Sequence, residues 1–399
     1  MRRLMALVAS TLVLSGCAIR KAELPPLKVG ILEETVPLRF DRDRLKSLPS
    51  FNYASMEPFQ VDLRSQDISG LDLSDRFHDL THADFDSLTK WPESLPKAFD
   101  THLVMELGKN PGLGVRGLHE RGVTGEGVSI GIVDQPLLPD HVEYKDRLKH
   151  YEVIKERADT SAMHGPAVAS IAGGKTVGVA PGADLYYIAA SGNAGHTPTW
   201  TYRAQAIERF LDINETLPSE KRIRVISISW GAGRTTDGYQ YLVDAINRAK
   251  KAGVFVITVS LGSFYGMQFH GLGRNPFLDP DDPNSYSIAL FLRAAGYEPG
   301  SMTEDQEAWL QAFLVLPMDS RCTASPTGPN DYAFYPSGGM SWGAPYLAGL
   351  YALACQVKPS VTPDEFWETA WDTATLATFG RIVNPVKLME VLEQLQGNP

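Results

Sequence analysis

The sequence predicts an α/β fold, a parallel sheet flanked by helices, behind an irregular N-terminal extension. Two observations predict it. First, VSIGIVD (128 to 134), DLYYIAA (184 to 190), RVISISW (224 to 230) and GVFVITVS (253 to 260) are short, near-continuous apolar runs. Runs without strict alternation suit strands buried on both faces. Second, helical patterns lie between them: GPAVASIAG, TYRAQAIERFLD and GYQYLVDAINRAKKAG, the last stopped by Gly253 at a C-cap position. Strand and helix in alternation imply right-handed crossovers. In such sheets chemistry collects beyond the carboxyl ends of the strands.

Taken in order, the chain opens on MRRLMALVASTLVLSGC, with Arg2 and Arg3 ahead of a short apolar run and small residues before Cys17. That layout is a secretory signal peptide over residues 1 to 16. Its ending, Leu14-Ser15-Gly16-Cys17, resembles a bacterial lipobox, which implies lipidation of Cys17 and a membrane-anchored, extracytoplasmic place in a bacterial cell envelope. A plain signal peptide with an incidental Cys is the competing reading. Residues 17 to 109 are irregular and rich in proline, read as an extension, a tether or a propeptide. Within them, residues 67 to 89 place apolar side chains at roughly five-residue intervals, too few turns for a stacked solenoid. Residues 110 to 399 form the main domain.

Composition bounds the partners. With 43% hydrophobic and 21% charged residues, the chain has ample material for a core. A formal charge of −10 argues against nucleic acid, whose phosphates need basic surface. Cys322 and Cys355 stand at no zinc-like spacing, so no metal site of that type is expected. An oxidising location would permit a bridge between them; a buried free thiol is equally compatible with the sequence. Asp279, Asp281 and Asp282 read as a solvated, proline-broken loop, with calcium as the alternative that their carboxylates allow. No cofactor is expected otherwise.

Gly339-Met340-Ser341-Trp342-Gly343 fits the G-x-S-x-G pattern and leads into an apolar helix containing Pro345. In the hydrolases that use that elbow, the triad histidine follows the serine. Here the last of nine histidines is His270, so the base must lie upstream of Ser341. His164 stands at the mouth of a small-residue helix, with Pro166 read as its first helical position. Asp134 ends a buried strand; Asp140 and Asp159 are the competing acids, and Asp159 lies too near His164 in sequence to come from that strand. The order Asp134, His164, Ser341 is one of three known triad orders.

With those residues in place, GLHERGVTGEGVSIGIVD, HGPAVASIAGG with GVAPGADLYYIAA, VISISWG and GMSWGAPYLAG together resemble the subtilisin-like serine peptidases over residues 110 to about 380. The resemblance implies a subtilisin-like sheet and hydrolysis of polypeptide substrates by a serine endopeptidase through an acyl-enzyme. It also implies that Ser229, Trp230 and Gly231 pair with an extended substrate.

The match departs from the family at several places. Gln135-Pro136 follow the acid, Pro166 follows His-Gly, and Met340, Gly343 and Tyr346 replace the usual residues around the serine. Gly262 aligns with the asparagine that normally supplies a side-chain oxyanion donor. Asn275 is a candidate substitute on a loop, against a simple turn role before Pro276. The worn motifs keep open an impaired pseudopeptidase, a lipid-anchored protein that binds peptides without turnover.

Overall fold

The computed structural model describes residues 29–30, 35–40, 42, 44–154, 160–190, 199–231, 233–298 and 300–397. The signal segment, Cys17 and Asp159 lie outside the described residues. Six strands form the main sheet, in the spatial order Val29–Gly30, Leu148–Ile154, Asp184–Ala189, Ser129–Asp134, Ile223–Ile228, Phe255–Thr258. All neighbours are parallel except the first pair. The apolar runs are strands because both faces are covered: Ser129–Asp134, for example, is buried at every residue. From that strand the chain crosses to Leu148–Ile154, comes back to lay Asp184–Ala189 between the two, and then builds the other side through Ile223–Ile228. Asp134 therefore ends a strand at the point where strand order reverses, the crevice where open α/β sheets place ligands.

Helices cover the sheet. Thr201–Thr216 and Tyr239–Lys251 pack on one face with Phe210, Ile207, Leu242 and Ile246. On the other, His164–Gly173 lies beside Met340–Val357, whose Trp342 to Cys355 stretch is wholly buried. Gly253 takes φ +73° just past its helix, the left-handed stop that glycine adopts without steric cost.

Sequence reasoning missed order in two places. The segment before the expected loop of Asp279 to Asp282 is strand, which no reading of the sequence assigned: Phe269–Arg274 pairs with Tyr286–Ile288 and with Leu314–Pro317 in a second sheet. Gly271 stands in that strand because a Cβ would lie 2.1 Å from Met318 Sδ, so only glycine lets Met318 approach. The aspartates that follow are engaged as turn and tie residues. Asp281 accepts from Asn110 Nδ2 at 2.7 Å and Gly114 N–H at 2.8 Å, and Asp282 accepts from Asn284 N–H.

The extension is also ordered over residues 44 to 110. Its five-residue spacing builds a small core from Leu63, Ile68, Leu73, Leu80 and Phe85. The main domain completes that core: strand Phe85–Asp86 pairs with Tyr332–Tyr335, and Phe334 packs within 5.2 Å of the Phe85 ring. Phe334→Ala should destabilise the protein by about 3–5 kcal/mol, the usual cost of emptying a buried phenylalanine site. Urea unfolding followed by tryptophan fluorescence checks this. Cys322 and Cys355 are both free and buried, so no bridge joins them. Among the described residues no helix is long and apolar enough to cross a membrane.

Candidate active site

Asp134 supplies a carboxylate at the end of the central strand, its side chain 1% exposed. Oδ1 accepts from its neighbour Gln135 N–H at 2.7 Å and from His164 Nδ1 at 2.6 Å. The residues that depart from the family pattern hold this junction. The Gln135 carbonyl accepts from Tyr187 Oη, and the Pro136 carbonyl accepts from Ala162 N–H at 3.0 Å. Gly165 closes the approach, since a Cβ there would lie 2.4 Å from the Gln135 oxygen. The helix begins at His164 itself, so Pro166 is its third residue rather than its first. It still falls within the first turn, where a missing N–H breaks no helical bond.

The imidazole pKa is raised above its ordinary 6.5. Burial pushes it down and the charge of Arg203 adds to that, but the Asp134 charge and hydrogen bond outweigh both. The Trp342 indole stands against it, ring centroids 5.5 Å apart, and so limits its swing.

Ser341 is the second residue of the helix Met340–Val357, at the positive end of eighteen residues of aligned peptide dipoles. Pro345 lies in the second turn of this helix, four residues beyond Ser341, so no N–H is available there for the Ser341 carbonyl. Ser229 fills the gap: its hydroxyl donates to the Ser341 carbonyl at 2.8 Å. In return, the Ser341 hydroxyl donates to the Ser229 carbonyl at 3.3 Å. The serine hydroxyl thus rests turned to the sheet. This reciprocal pair fastens the head of the helix to the end of strand Ile223–Ile228.

The three residues expected to pair with substrate divide their work. Trp230 spends its main chain internally, donating to the Ile228 carbonyl and accepting from Val259 N–H, while Arg203 lies 4.1 Å above its ring. Gly231 is exposed, and the nearest atoms to a Cβ placed on it are Ser260 Oγ at 3.6 Å and Val259 Cγ1 at 3.8 Å. That leaves room for a neighbour's side chain beside it. Asn275 does not join the group: its Oδ1 caps its own turn, accepting from Phe277 N–H at 3.0 Å. Gly262 lies in the short helix Leu261–Tyr265 and offers no side-chain donor.

The structure therefore joins Asp134 to His164, sets His164 against Trp342, the residue after Ser341, joins Ser229 to Ser341, and leaves Asn275 in a turn. Sequence reasoning did not find Ser229's anchoring hydroxyl, although a proline four residues after a helical serine announces a carbonyl in need of a donor. Among the described residues no cluster of His, Cys, Asp or Glu is arranged to hold a metal ion.

The chain resembles known proteins in sequence. The model of the subtilase family, Peptidase_S8, matches residues 125–385. A curated "Subtilisin-like protease 2" of Arthroderma otae is 30% identical over 138 residues, which cover 34% of this chain and 31% of that one. Its namesake from Trichophyton rubrum is 26% identical over 243 residues, 60% of this chain and 52% of the relative. The matched segments thus span about a third and about half of those relatives. Among solved structures, the prenylagaramide maturation protease PagA has a TM-score of 0.48 at 16% identity, covering 70% of this chain and 98% of that one. A protease from Pseudoalteromonas arctica also scores 0.48 at 16% identity, with coverages of 71% and 95%.

Proposed function

The chain belongs to the subtilase family, and from that premise we propose that it is a serine endopeptidase using Ser341 as nucleophile, His164 as base and Asp134 as orienting acid. The observation that carries the proposal is the 2.6 Å bond from a strand-end carboxylate to an imidazole beside the helix headed by Ser341. A serine hydroxyl is unreactive until an adjacent base takes its proton. His164 takes it through Nε2 as Ser341 attacks the peptide carbonyl, then returns it to the leaving amine. Asp134 keeps the Nδ1–H tautomer and stabilises the imidazolium formed in between. The developing oxyanion is received by main-chain N–H at the helix head, with Gly262 adding no side-chain donor. The substrate's acyl portion lies along Ser229–Gly231.

The same reading places the protein at a membrane. A lipid on Cys17 would hold it outside the cytoplasm of a bacterial cell, each buried methylene adding about 0.8 kcal/mol. Its support is the segment from Arg2 to Cys17.

A fluorophosphonate probe tests the nucleophile. Wild type should be labelled and Ser341→Ala should not; equal labelling removes Ser341 from the mechanism. One observation favours the second reading, a peptide-binding pseudopeptidase: the resting Ser341 hydroxyl bonds to Ser229 rather than to His164. Absence of labelling in the wild type would select it.

The raised imidazole pKa gives a pH prediction. His164 accepts a proton only when neutral, so the acid limb of kcat/KM should lie above the ordinary 6.5. The sign for stability is opposite. The protonated pair contributes fully below 6.5, and that contribution is lost as pH rises through the raised value. A pH series of peptide hydrolysis and of thermal unfolding measures both.

A further inference from the structure

A cavity of about 290 Å³ is lined on one side, its floor, by Pro336 to Gly339, the run that leads into Met340 and Ser341. Its walls come from two segments. The loop Phe51–Gln60 of the extension lies wholly outside the family-matched residues 125–385. Leu290, Phe291 and Ala294 come from the segment after the second sheet's edge strand.

The cavity is built rather than incidental. Phe51 is pinned by its N–H to Asp79 Oδ1 at 2.7 Å and stacks on His82 with ring centroids 4.0 Å apart. The loop is closed on itself by Asn52 N–H donating to Gln60 Oε1 at 2.8 Å. Asp319, buried behind the floor, accepts from Leu290 N–H at 2.9 Å and faces Ser337 and Gly338, so one carboxyl links a wall to the floor. Against this fixed frame the loop holds large apolar side chains out in water: Tyr53 is 37% exposed, Met56 64% and Phe59 39%. Exposed apolar side chains gathered around one opening mark a binding site. The polar groups of the wall are disposed towards neutrality. Burial lowers the His82 pKa and lifts that of Asp84 well above its ordinary value. Glu57 stands among the exposed loop residues.

Position decides what enters. The lining includes the residues just before Ser341 and none of Ser229, Trp230, Gly231 or His164. A polypeptide whose acyl half lies along Ser229–Gly231 must cross the nucleophile and leave over Gly338 and Gly339. We propose that the extension loop Phe51–Gln60 and the Leu290–Ala294 helix form a specificity pocket for an aromatic or large apolar side chain on the leaving-group side of the scissile bond. This rests on the peptidase reading for its direction. The extension then contributes to substrate choice as well as to the fold.

The test uses the full chain to digest a denatured protein mixture, and the new N-termini are sequenced. Aromatic and large apolar residues should be enriched at least about tenfold over glycine within the first few positions of the new N-termini. The enrichment should collapse towards background in Ala294→Trp, which fills the cavity, and in Met56→Ala, an exposed substitution that leaves folding intact. Enrichment absent from that side, or unchanged in both variants, overturns the proposal. Should no cleavage occur, the peptidase reading fails on its own, and the pocket is judged by binding. Full-chain Ser341→Ala is then titrated with fluorescent glycine-rich peptides with and without one phenylalanine. Tighter binding of the phenylalanine peptide that is lost in Ser341→Ala/Met56→Ala supports the pocket, and equal binding of both peptides overturns it.

Discussion

Ser341→Ala should hydrolyse peptide amides about a million-fold more slowly than the wild type, the scale at which serine triads lose turnover without their nucleophile. No other group described at the site can take over: the hydroxyl bonded to the Ser341 carbonyl belongs to Ser229, which already uses it to replace the donor that Pro345 cannot supply. The stronger expectation concerns the double variant. His164 acts only by moving the proton of Ser341, so Ser341→Ala/His164→Ala should be no slower than Ser341→Ala alone. Active-site-titrated kinetics on a peptide amide measures both. A wild type already at the rate of Ser341→Ala would make the groove a binding site without turnover.

Asp134→Asn is expected to lower kcat by about 10⁴-fold. The asparagine NH2 can donate to His164 Nδ1, which leaves the ring proton on Nε2, the wrong tautomer for taking the proton of Ser341. What the substitution removes is the charge that offsets burial of the imidazole. With burial and Arg203 then unopposed, the His164 pKa should drop below the ordinary 6.5. The variant should therefore be slow at every pH, with its acid limb moved downward. A loss of rate with the limb unmoved would mean that Asp134 does not face the base. Full activity would assign the acid's part to another carboxylate, Asp140 among those considered.

The parts of the proposed site were legible because each obeys a local rule. Asp134 follows a near-continuous apolar run, His164 precedes a stretch of small residues, and the absence of histidine after His270 fixes the direction of any triad built on Ser341. What was not legible depends on partners distant in the chain. Ser229 and Ser341 exchange hydrogen bonds across 112 residues, and no spacing rule announces that. Gly271 gives no sign of a strand, since glycine weakens strands, and what requires it there is Met318. Asn275 went the other way: the local turn reading, weighed against an oxyanion role, is the one its bond to Phe277 N–H follows. Residues 44 to 110 looked irregular since most of their hydrogen bonds join loops. Their order comes from a five-residue apolar spacing closed by Phe334.

That closure has a consequence for how the protein is made. Phe85 leaves the ribosome long before Phe334, so the extension's core lacks its last ring until most of the polypeptide has been translated. Because Phe334 is separated from the Ser337–Gly339 turn by only two residues, the late event that finishes the early segment also sets the run leading to Ser341. Hydrolytic competence and docking of the extension should then emerge together during biosynthesis, and a nascent chain stalled before Tyr332 should possess neither.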